Sequence, residues 1–92
     1  MIRVITLIVN VIWTQHAIDR QREWFATHAI STEDIESVVT DPDQVIPGDF
    51  DIFIGQSRLL GGLLRVAFVD VESQRKIVTL YWTSQVNRYW KE

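Results

Sequence analysis

Four side chains of types that can move protons or hold anions are spread along this sequence: His16, Arg20, Arg65 and Tyr81. A histidine side chain ordinarily titrates close to neutral pH, so His16 could take or give a proton. The planar guanidinium groups of Arg20 and Arg65 suit phosphate oxygens. Tyr81 could stack on a nucleobase or position a proton. Together these groups suit acid–base chemistry at a phosphate ester.

Each of the four side chains also has a structural interpretation. His16, near the expected start of a helix, could cap that helix or hydrogen-bond a neighbouring strand. Arg20 could stack on Trp24, one helical turn later. Arg65 lies between apolar neighbours in a strand, where it either pairs with a carboxylate or lines a site, and of these we favour the site. Tyr81 fits the core or the rim of the sheet.

Other kinds of site are disfavoured by the residues present. The chain has no cysteine, which excludes disulfides and thiolate metal sites and suits a reducing compartment. His16 and His28 lack a matching third ligand, so we expect no metal ion and no cofactor. Gly61-Gly62 is typical of a hairpin turn rather than a phosphate-binding loop, and no serine lies in a nucleophile-elbow setting.

The size and composition are those of a single globular domain. The chain has 92 residues, of which 47% are hydrophobic, with four tryptophans. The apolar stretch Met1–Trp13 is interrupted by Arg3 and Asn10 and is too short to cross a bilayer, which needs about 20 apolar residues. No small-residue cleavage site follows it, so a buried first strand is favoured over a signal peptide. We therefore expect a cytoplasmic protein.

Charge is distributed unevenly along the chain. The segment Ser31–Asp51 contains seven acidic residues and no Lys or Arg, giving −7, whereas the remainder has nine basic and five acidic residues, giving +4. The sum is the net charge of −3. We interpret the acidic segment as a solvated helix and loop, and the basic remainder leaves room for anion binding on one face.

Two helices and their caps are predicted in the first half. A strand from Ile5 to Trp13 precedes Thr14, which is a plausible N-cap for a helix ending near His28. Ser31 should cap the second helix, with Asp34 completing a capping box. The buried stripe of the first helix is predicted to contain Ala17, Ile18, Trp24, Phe25 and one side of His28. Ile30 and Ile35 should form a hydrophobic staple, and Asp41-Pro42 should end the second helix.

The second half alternates with a period of two, which is typical of strands. One strand is predicted where Phe50, Ile52 and Ile54 alternate with Asp51, Phe53 and Gly55. Two more are predicted over Leu63–Val71 and over Lys76–Thr83. In the last strand Val78, Leu80 and Trp82 should share one face, opposite Ile77, Thr79, Tyr81 and Thr83. Ser84 should cap a short final helix. The predicted fold is α+β: an N-terminal strand, two helices packed on one face of an antiparallel meander of three further strands, and a short C-terminal helix.

Several motifs occur in a characteristic order between Trp13 and about Trp90. They are H-A-x-x-R at His16–Arg20, I-S-x-x-D-I-E at Ile30–Glu36, Asp41-Pro42, L-R-V at Leu64–Val66, V-T-x-Y at Val78–Tyr81, and Thr83-Ser84. In these motifs the sequence resembles the small bacterial family called domain of unknown function 4258. That family is similar to a branch of the RelE/ParE-like toxin superfamily, and the chain also resembles BrnT-type toxins.

The resemblance implies the toxin component of a type II toxin–antitoxin system, neutralised by a cognate antitoxin. It implies a metal-independent endoribonuclease acting on mRNA, with ribosome contact and a homodimer both left open. The implied catalytic residues are His16, Arg20, Arg65 and Tyr81. The basic residues that could bind nucleic acid are Arg58, Lys76, Arg88 and Lys91. The aromatic residues that could contact the antitoxin are Trp82, Tyr89 and Trp90.

A second hypothesis is a non-catalytic relative that keeps the RelE/ParE-like fold and acts through protein contacts, as ParE-type members do on gyrase. The acidic balance of the chain favours this hypothesis, whereas His16, Arg20 and Arg65 favour the enzyme. Convergence of those three residues on one concave, positive face would support the enzyme. Their scattering or burial in ion pairs would support the binding module.

Overall fold

A computed structural model describes residues 10–92 of the chain. The predicted first strand is present as β1 (Asn10–Trp13), and its remaining part, residues 5–9, lies outside the described residues. The other elements, in chain order, are α1 (Gln15–His28), α2 (Thr32–Thr40), β2 (Gln44–Pro47), β3 (Phe53–Leu59), β4 (Gly62–Val71), β5 (Gln74–Thr83) and α3 (Val86–Tyr89). None of the helices within residues 10–92 is long and apolar enough to cross a membrane.

The five strands form one sheet in the order β1-β5-β4-β3-β2. Strands β2 to β5 form an antiparallel meander, and β1 pairs in parallel with β5 at one edge. The α+β class is confirmed, but the prediction of three meander strands was wrong because it missed β2. This short strand has little pattern of its own and is defined by its pairing with β3. Its last residue, Pro47, is tolerated because β2 is an edge strand.

Both longer helices begin at the predicted caps. The Thr14 hydroxyl accepts a hydrogen bond from the backbone N–H of Ala17 at 3.1 Å. Ser31 and Asp34 form the reciprocal capping box, in which each side chain accepts from the other residue's backbone N–H, at 3.0 and 2.9 Å. Such caps satisfy amide groups that the first helical turn leaves unpaired and typically contribute about 1 kcal/mol.

The core lies between these two helices and one face of the sheet. Its buried members are Ala17, Ile30, Ile35, Val38, Val39, Leu64, Val66, Phe68, Ile77 and Leu80. The predicted stripe of α1 was partly wrong, since Phe25 is 57% exposed. Gln21 is buried instead, and its side chain donates a hydrogen bond to the Ile30 carbonyl at 2.9 Å. This bond ties α1 to the start of α2.

A β-bulge in β5 changes which of its residues face the helices. Ala67 pairs with Thr79 and Phe68 pairs with Ile77, so Val78 is an extra residue in β5. The bulge shifts the alternation by one residue, and Ile77 therefore shares the core face with Leu80. The prediction that Ile77 and Leu80 lie on opposite faces was wrong for this reason.

Two turns differ from the sequence-based prediction. Phe50 was expected in a strand, but it is fully exposed in a turn with φ of 56°, and β3 begins at Phe53. The β3–β4 turn is formed by Leu60 and Gly61, both with positive φ, rather than by Gly61-Gly62. Gly62 is the first residue of β4, where a Cβ atom would lie 2.2 Å from the Thr83 carbonyl oxygen.

Substituting Gly62→Ala should therefore destabilise the sheet. The added methyl group has no space against Thr83 and the Trp82 ring, so the free energy of unfolding should fall by about 3 kcal/mol. The matched control is Gly61→Asn, which adds a side chain in open space at a left-handed position that asparagine tolerates, and should change stability by about 0.5 kcal/mol or less. Urea unfolding followed by tryptophan fluorescence measures both. Equal effects would contradict the close approach at Gly62.

Candidate functional site

A row of four polar side chains crosses the face of the sheet opposite α1 and α2. Successive strands pair these residues directly with one another, in the order Gln44, Gln56, Arg65, Tyr81. Leu64 and Val66 point into the core, so Arg65 between them points away from it. We call this set the polar row and this side of the sheet the far face.

Arg65 is the centre of the polar row and is only 7% exposed. Its Nε donates to the Gln56 side-chain oxygen at 2.8 Å, and its Nη1 donates to the Tyr81 hydroxyl. The guanidinium carbon lies 4.1 Å from the centre of the Tyr89 ring and 5.6 Å from that of Tyr81. Within residues 10–92, the ion pairs are Arg20–Glu23 and Arg75–Asp70, so no carboxylate pairs with Arg65.

A buried guanidinium without a carboxylate is costly to the fold, because its charge is removed from water without a full countercharge. The protein supplies acceptors to Nε and Nη1, whereas a guanidinium has five N–H donors. Arg65 also lines a cavity of about 100 Å³, whose other lining residues are Ile54, Ala67, Thr79, Leu80 and Tyr81. We call it the Arg65 cavity. Of the two alternatives predicted for Arg65, pairing with a carboxylate is not found within residues 10–92, and a functional role of the cavity stays a prediction.

His16 approaches the same cavity from the edge of the sheet. Its Nε2 lies 3.1 Å from the Thr79 hydroxyl oxygen, and Thr79 lines the Arg65 cavity. In the described part of the chain, β1 pairs with β5 only up to Ile77, so the start of α1 lies against the next residues of β5. Thr14 fixes this junction, because its hydroxyl donates to the carbonyl oxygens of Ile77 or Val78, at 3.0 and 3.1 Å.

Arg20 does not join His16 and Arg65. It forms an ion pair with Glu23 at 2.8 Å on the outer side of α1, in place of the expected stacking on Trp24. It lines a different cavity, together with Thr27 and His28. Of the three residues expected to converge, only His16 and Arg65 approach the same cavity. His16 contacts Thr79, and both Thr79 and Arg65 line the cavity.

The C-terminal segment, residues 85–92, lies across the polar row. The Gln56 side chain donates to the Tyr89 carbonyl at 3.0 Å, and Gln44 accepts from the backbone N–H of Lys91 at 3.1 Å. The final helix, α3, begins after Gln85 rather than at the predicted cap Ser84, and no side chain caps it. The segment is therefore held mainly by the two glutamines and by the rings that contact arginine.

Three of the four predicted nucleic-acid-binding residues gather around this segment. The Arg58 guanidinium lies 4.5 Å from the Trp90 ring and that of Arg88 lies 5.3 Å from the Tyr89 ring. Lys91 belongs to the segment itself. Lys76 lies five residues before Tyr81 in β5, roughly 15 Å away at about 3.3 Å per residue. It is therefore separate from this basic and aromatic cluster.

Trp82 does not belong to the same surface as Tyr89 and Trp90, contrary to the prediction. It points to the helix side of the sheet, where its ring lies 4.6 Å from that of His28 and 6.5 Å from that of Trp24. Its indole N–H donates to the Leu59 carbonyl at 2.8 Å. Trp82 and His28 therefore pack together on the helix side, and Trp82 does not share one surface with Tyr89 and Trp90.

The acidic segment forms a surface of opposite character beside α2. A cavity of about 510 Å³ there is lined by Glu33, Glu36, Ser37, Thr40 and Asp41. Its volume is larger than that of the Arg65 cavity, but its carboxylates would repel a phosphate group. No group of three or more metal-ligating side chains was found within residues 10–92. The acidic cavity is therefore a poor candidate for an anionic ligand.

Sequence reasoning missed the two glutamines of the polar row. Gln44 lies in the strand that was not predicted, and Gln56 is uncharged and shows no motif. The one available signal was the alternation of β3, in which Gln56 follows Ile54 on the same face and is fully buried. A buried glutamine at a strand position requires hydrogen-bond partners, which here are Arg65 and the C-terminal segment.

Comparison with known proteins supports the fold. No protein-family model and no curated protein matches the sequence, so the motif-based resemblance to domain of unknown function 4258 finds no support there. Among solved structures, the ribonuclease toxin BrnT of Brucella abortus matches with a TM-score of 0.56 and 18% sequence identity. The match covers 83% of this chain and 97% of that one. The chain therefore has a BrnT-like fold, which confirms the fold implied by the resemblance to BrnT-type toxins.

The environment of Tyr81 yields a prediction about pH. Burial raises the pKa of Tyr81 above its ordinary value of 10.0, and the Tyr89 side chain adds to this, while the hydrogen bond from Arg65 opposes it. The folded state then binds the phenol proton more tightly than the unfolded state. The resulting stability is present below about pH 10 and is lost as pH rises through the raised pKa.

Titration of tyrosinate absorbance should therefore show a step above pH 10 that the Tyr81→Phe variant lacks. Urea unfolding of the wild-type protein should also weaken over that range more steeply than unfolding of Tyr81→Phe. A Tyr81 step at or below the ordinary value of 10.0 would contradict the buried environment described for this hydroxyl.

Proposed function

We propose that this chain is a toxin-like endoribonuclease that cleaves mRNA at the Arg65 cavity without a metal ion. The observation that carries the proposal is the buried Arg65 guanidinium, which has no carboxylate partner within residues 10–92 and lines a cavity reached by His16 through Thr79. The likeness in fold to a ribonuclease toxin supports it. An RNA phosphodiester would supply the negative charge that no carboxylate within residues 10–92 provides to Arg65.

The side chains at the cavity suit cleavage by the neighbouring 2′-hydroxyl. His16 would accept the proton of that hydroxyl as it attacks phosphorus. The new bond forms a 2′,3′-cyclic phosphate as the bond to the 5′-oxygen breaks, and the 5′-oxygen takes a proton from solvent water to leave as a hydroxyl. Arg65 would stabilise the negative charge that grows on the phosphate oxygens. Tyr81 keeps its proton at neutral pH, as any tyrosine with a pKa at or above the ordinary value of 10.0 does, and would donate a hydrogen bond to the phosphate or the leaving oxygen.

The proposal extends to the partners of the chain. Arg58, Arg88 and Lys91 would contact the RNA backbone near the cavity. Tyr89 and Trp90 would contact a cognate antitoxin, since large aromatic rings dominate the energetics of many protein interfaces. The proposal places the protein in the cytoplasm.

The second candidate function is a non-catalytic binding module. Two observations favour it. Arg20 pairs with Glu23 and lies apart from His16 and Arg65, and the acidic cavity beside α2 offers a surface for a basic protein partner. Such a module would act without cleaving RNA, and its action would not depend on His16 or Arg65.

Cleavage assays with purified protein and mRNA separate the two functions. Arg65→Lys keeps the positive charge but loses the planar fork, and should lower the cleavage rate by about 100-fold. His16→Ala should lower the rate by at least about 100-fold, as expected for loss of a general base. The matched control is Arg22→Lys, a substitution at an exposed position of α1, which should leave the rate unchanged.

Induced expression in bacteria gives the corresponding test in cells. The wild-type protein and Arg22→Lys should arrest growth with fragmented mRNA, whereas folded His16→Ala and Arg65→Lys proteins should not. Growth arrest with intact RNA, unrelieved by either substitution, would contradict the ribonuclease and support the binding module.

A further inference from the structure

The C-terminal segment covers Arg65 but is weakly attached. α3 has only four residues, none of which is fully buried, and no side chain caps its N-terminus. On the far face, the Tyr89 ring lies against the guanidinium at 4.1 Å. Segments with few buried contacts belong to the least stable parts of a fold and open well before the whole protein unfolds.

The attachment of this segment is concentrated in Gln44 and Gln56. Gln56 is fully buried, and its side-chain N–H₂ group donates both to the Gln44 oxygen at 2.7 Å and to the Tyr89 carbonyl at 3.0 Å. The Gln44 oxygen accepts from the Lys91 N–H, and the Gln44 amide donates to the Lys91 carbonyl. We call this pair the glutamine clasp.

The glutamine clasp connects the segment directly to the arginine. The Gln56 oxygen accepts from Arg65 Nε while its nitrogen holds Tyr89, so one side chain orients both the guanidinium and its cover. Release of the segment would leave the Gln56–Arg65 bond in place and uncover the guanidinium where Tyr89 now lies. Arg58, Arg88 and Lys91 would then be free to turn toward the same ligand.

We propose that Arg65 is a phosphate-binding site with a removable cover, in which the glutamine clasp holds the C-terminal segment closed until an RNA phosphodiester takes its place. The chemistry of the ligand is that of a phosphate group, and the proposed function enters only in the choice of RNA as its source. In this proposal Gln56 positions the Arg65 guanidinium, and it also holds the C-terminal segment at Tyr89. Gln44 and the Lys91 N–H hold the segment without contacting Arg65.

Opening of the cover is measured by the rate at which phenylglyoxal modifies Arg65, followed by mass spectrometry of the Arg65 peptide. Gln44→Ala removes two hydrogen bonds to Lys91. Lys91→Pro removes one of them by deleting the donor N–H, and it also removes the lysine ammonium group. If each net hydrogen bond is worth roughly a factor of five in the opening equilibrium, modification should accelerate about 25-fold and about fivefold, respectively. Gln74→Ala, at the exposed start of β5, is the matched control and should leave the rate unchanged.

Ligand binding is measured by fluorescence anisotropy with labelled 2′-O-methyl pentauridylate, which cannot be cleaved at the blocked hydroxyls. Gln44→Ala should bind more tightly than the wild-type protein. Lys91→Pro is confined to the modification assay, because it also lacks an ammonium group that would contact the RNA. Adding Arg65→Lys to Gln44→Ala should abolish the gain. Inorganic phosphate should protect Arg65 from phenylglyoxal only at much higher concentration than pentauridylate does.

Unchanged modification rates in both Gln44→Ala and Lys91→Pro would overturn the cover. Faster modification without tighter pentauridylate binding, or protection by inorganic phosphate at equal concentration, would overturn the RNA phosphodiester as the ligand. Neither readout requires cleavage. An inactive protein that shows both expected results would therefore contradict the proposed ribonuclease while supporting the covered phosphate site.

Discussion

The burial of one guanidinium group without a carboxylate governs the arrangement of the whole far face. Arg65 lies in the central antiparallel meander, where β3 and β5 flank it on both sides. Its charge is offset by polar side chains, Gln56 and Tyr81, and by the π face of Tyr89. Neutral acceptors and aromatic rings compensate a buried charge only in part. This incomplete compensation is the reason for proposing that the site binds an anion.

The edge of the sheet decides which residue of α1 lies near β5. β1 ends at Trp13, which pairs with Ile77, so α1 begins beside the following residues of β5. The Thr14 side chain fixes the start of α1 against the bulge at Val78, and His16 consequently reaches Thr79. Arg20, one turn later on α1, points outward to Glu23. Two residues one helical turn apart on α1 therefore have different surroundings. His16 contacts Thr79 of the cavity lining, whereas Arg20 lies away from the cavity.

Much of this fold could be predicted from local sequence, because local physics determines it. The caps at Thr14 and Ser31 depend on residues three positions apart, and the unusual position of Arg65 follows from alternation within one strand. The polar row could not be predicted, since its four members lie on four strands and meet only through the register of the sheet. The bulge at Val78 likewise arises from pairing with β4, and it moves Ile77 into the core against the alternation of its own strand.

We propose that Arg65 is buried for function and not for stability, and the free energy of unfolding of the double variant Gln56→Leu/Arg65→Met tests this proposal most directly. Replacing a buried charge together with its buried hydrogen-bond partner by apolar side chains of similar size is often neutral or stabilising, whereas Arg65→Met alone would leave the Gln56 oxygen unpaired. If Arg65 is buried for function, the double variant should unfold in urea with a free energy within about 1 kcal/mol of the wild-type value, or higher. A loss of about 3–5 kcal/mol would instead show that Gln56 and Arg65 hold the polar row together as a structural element, and would contradict the proposal.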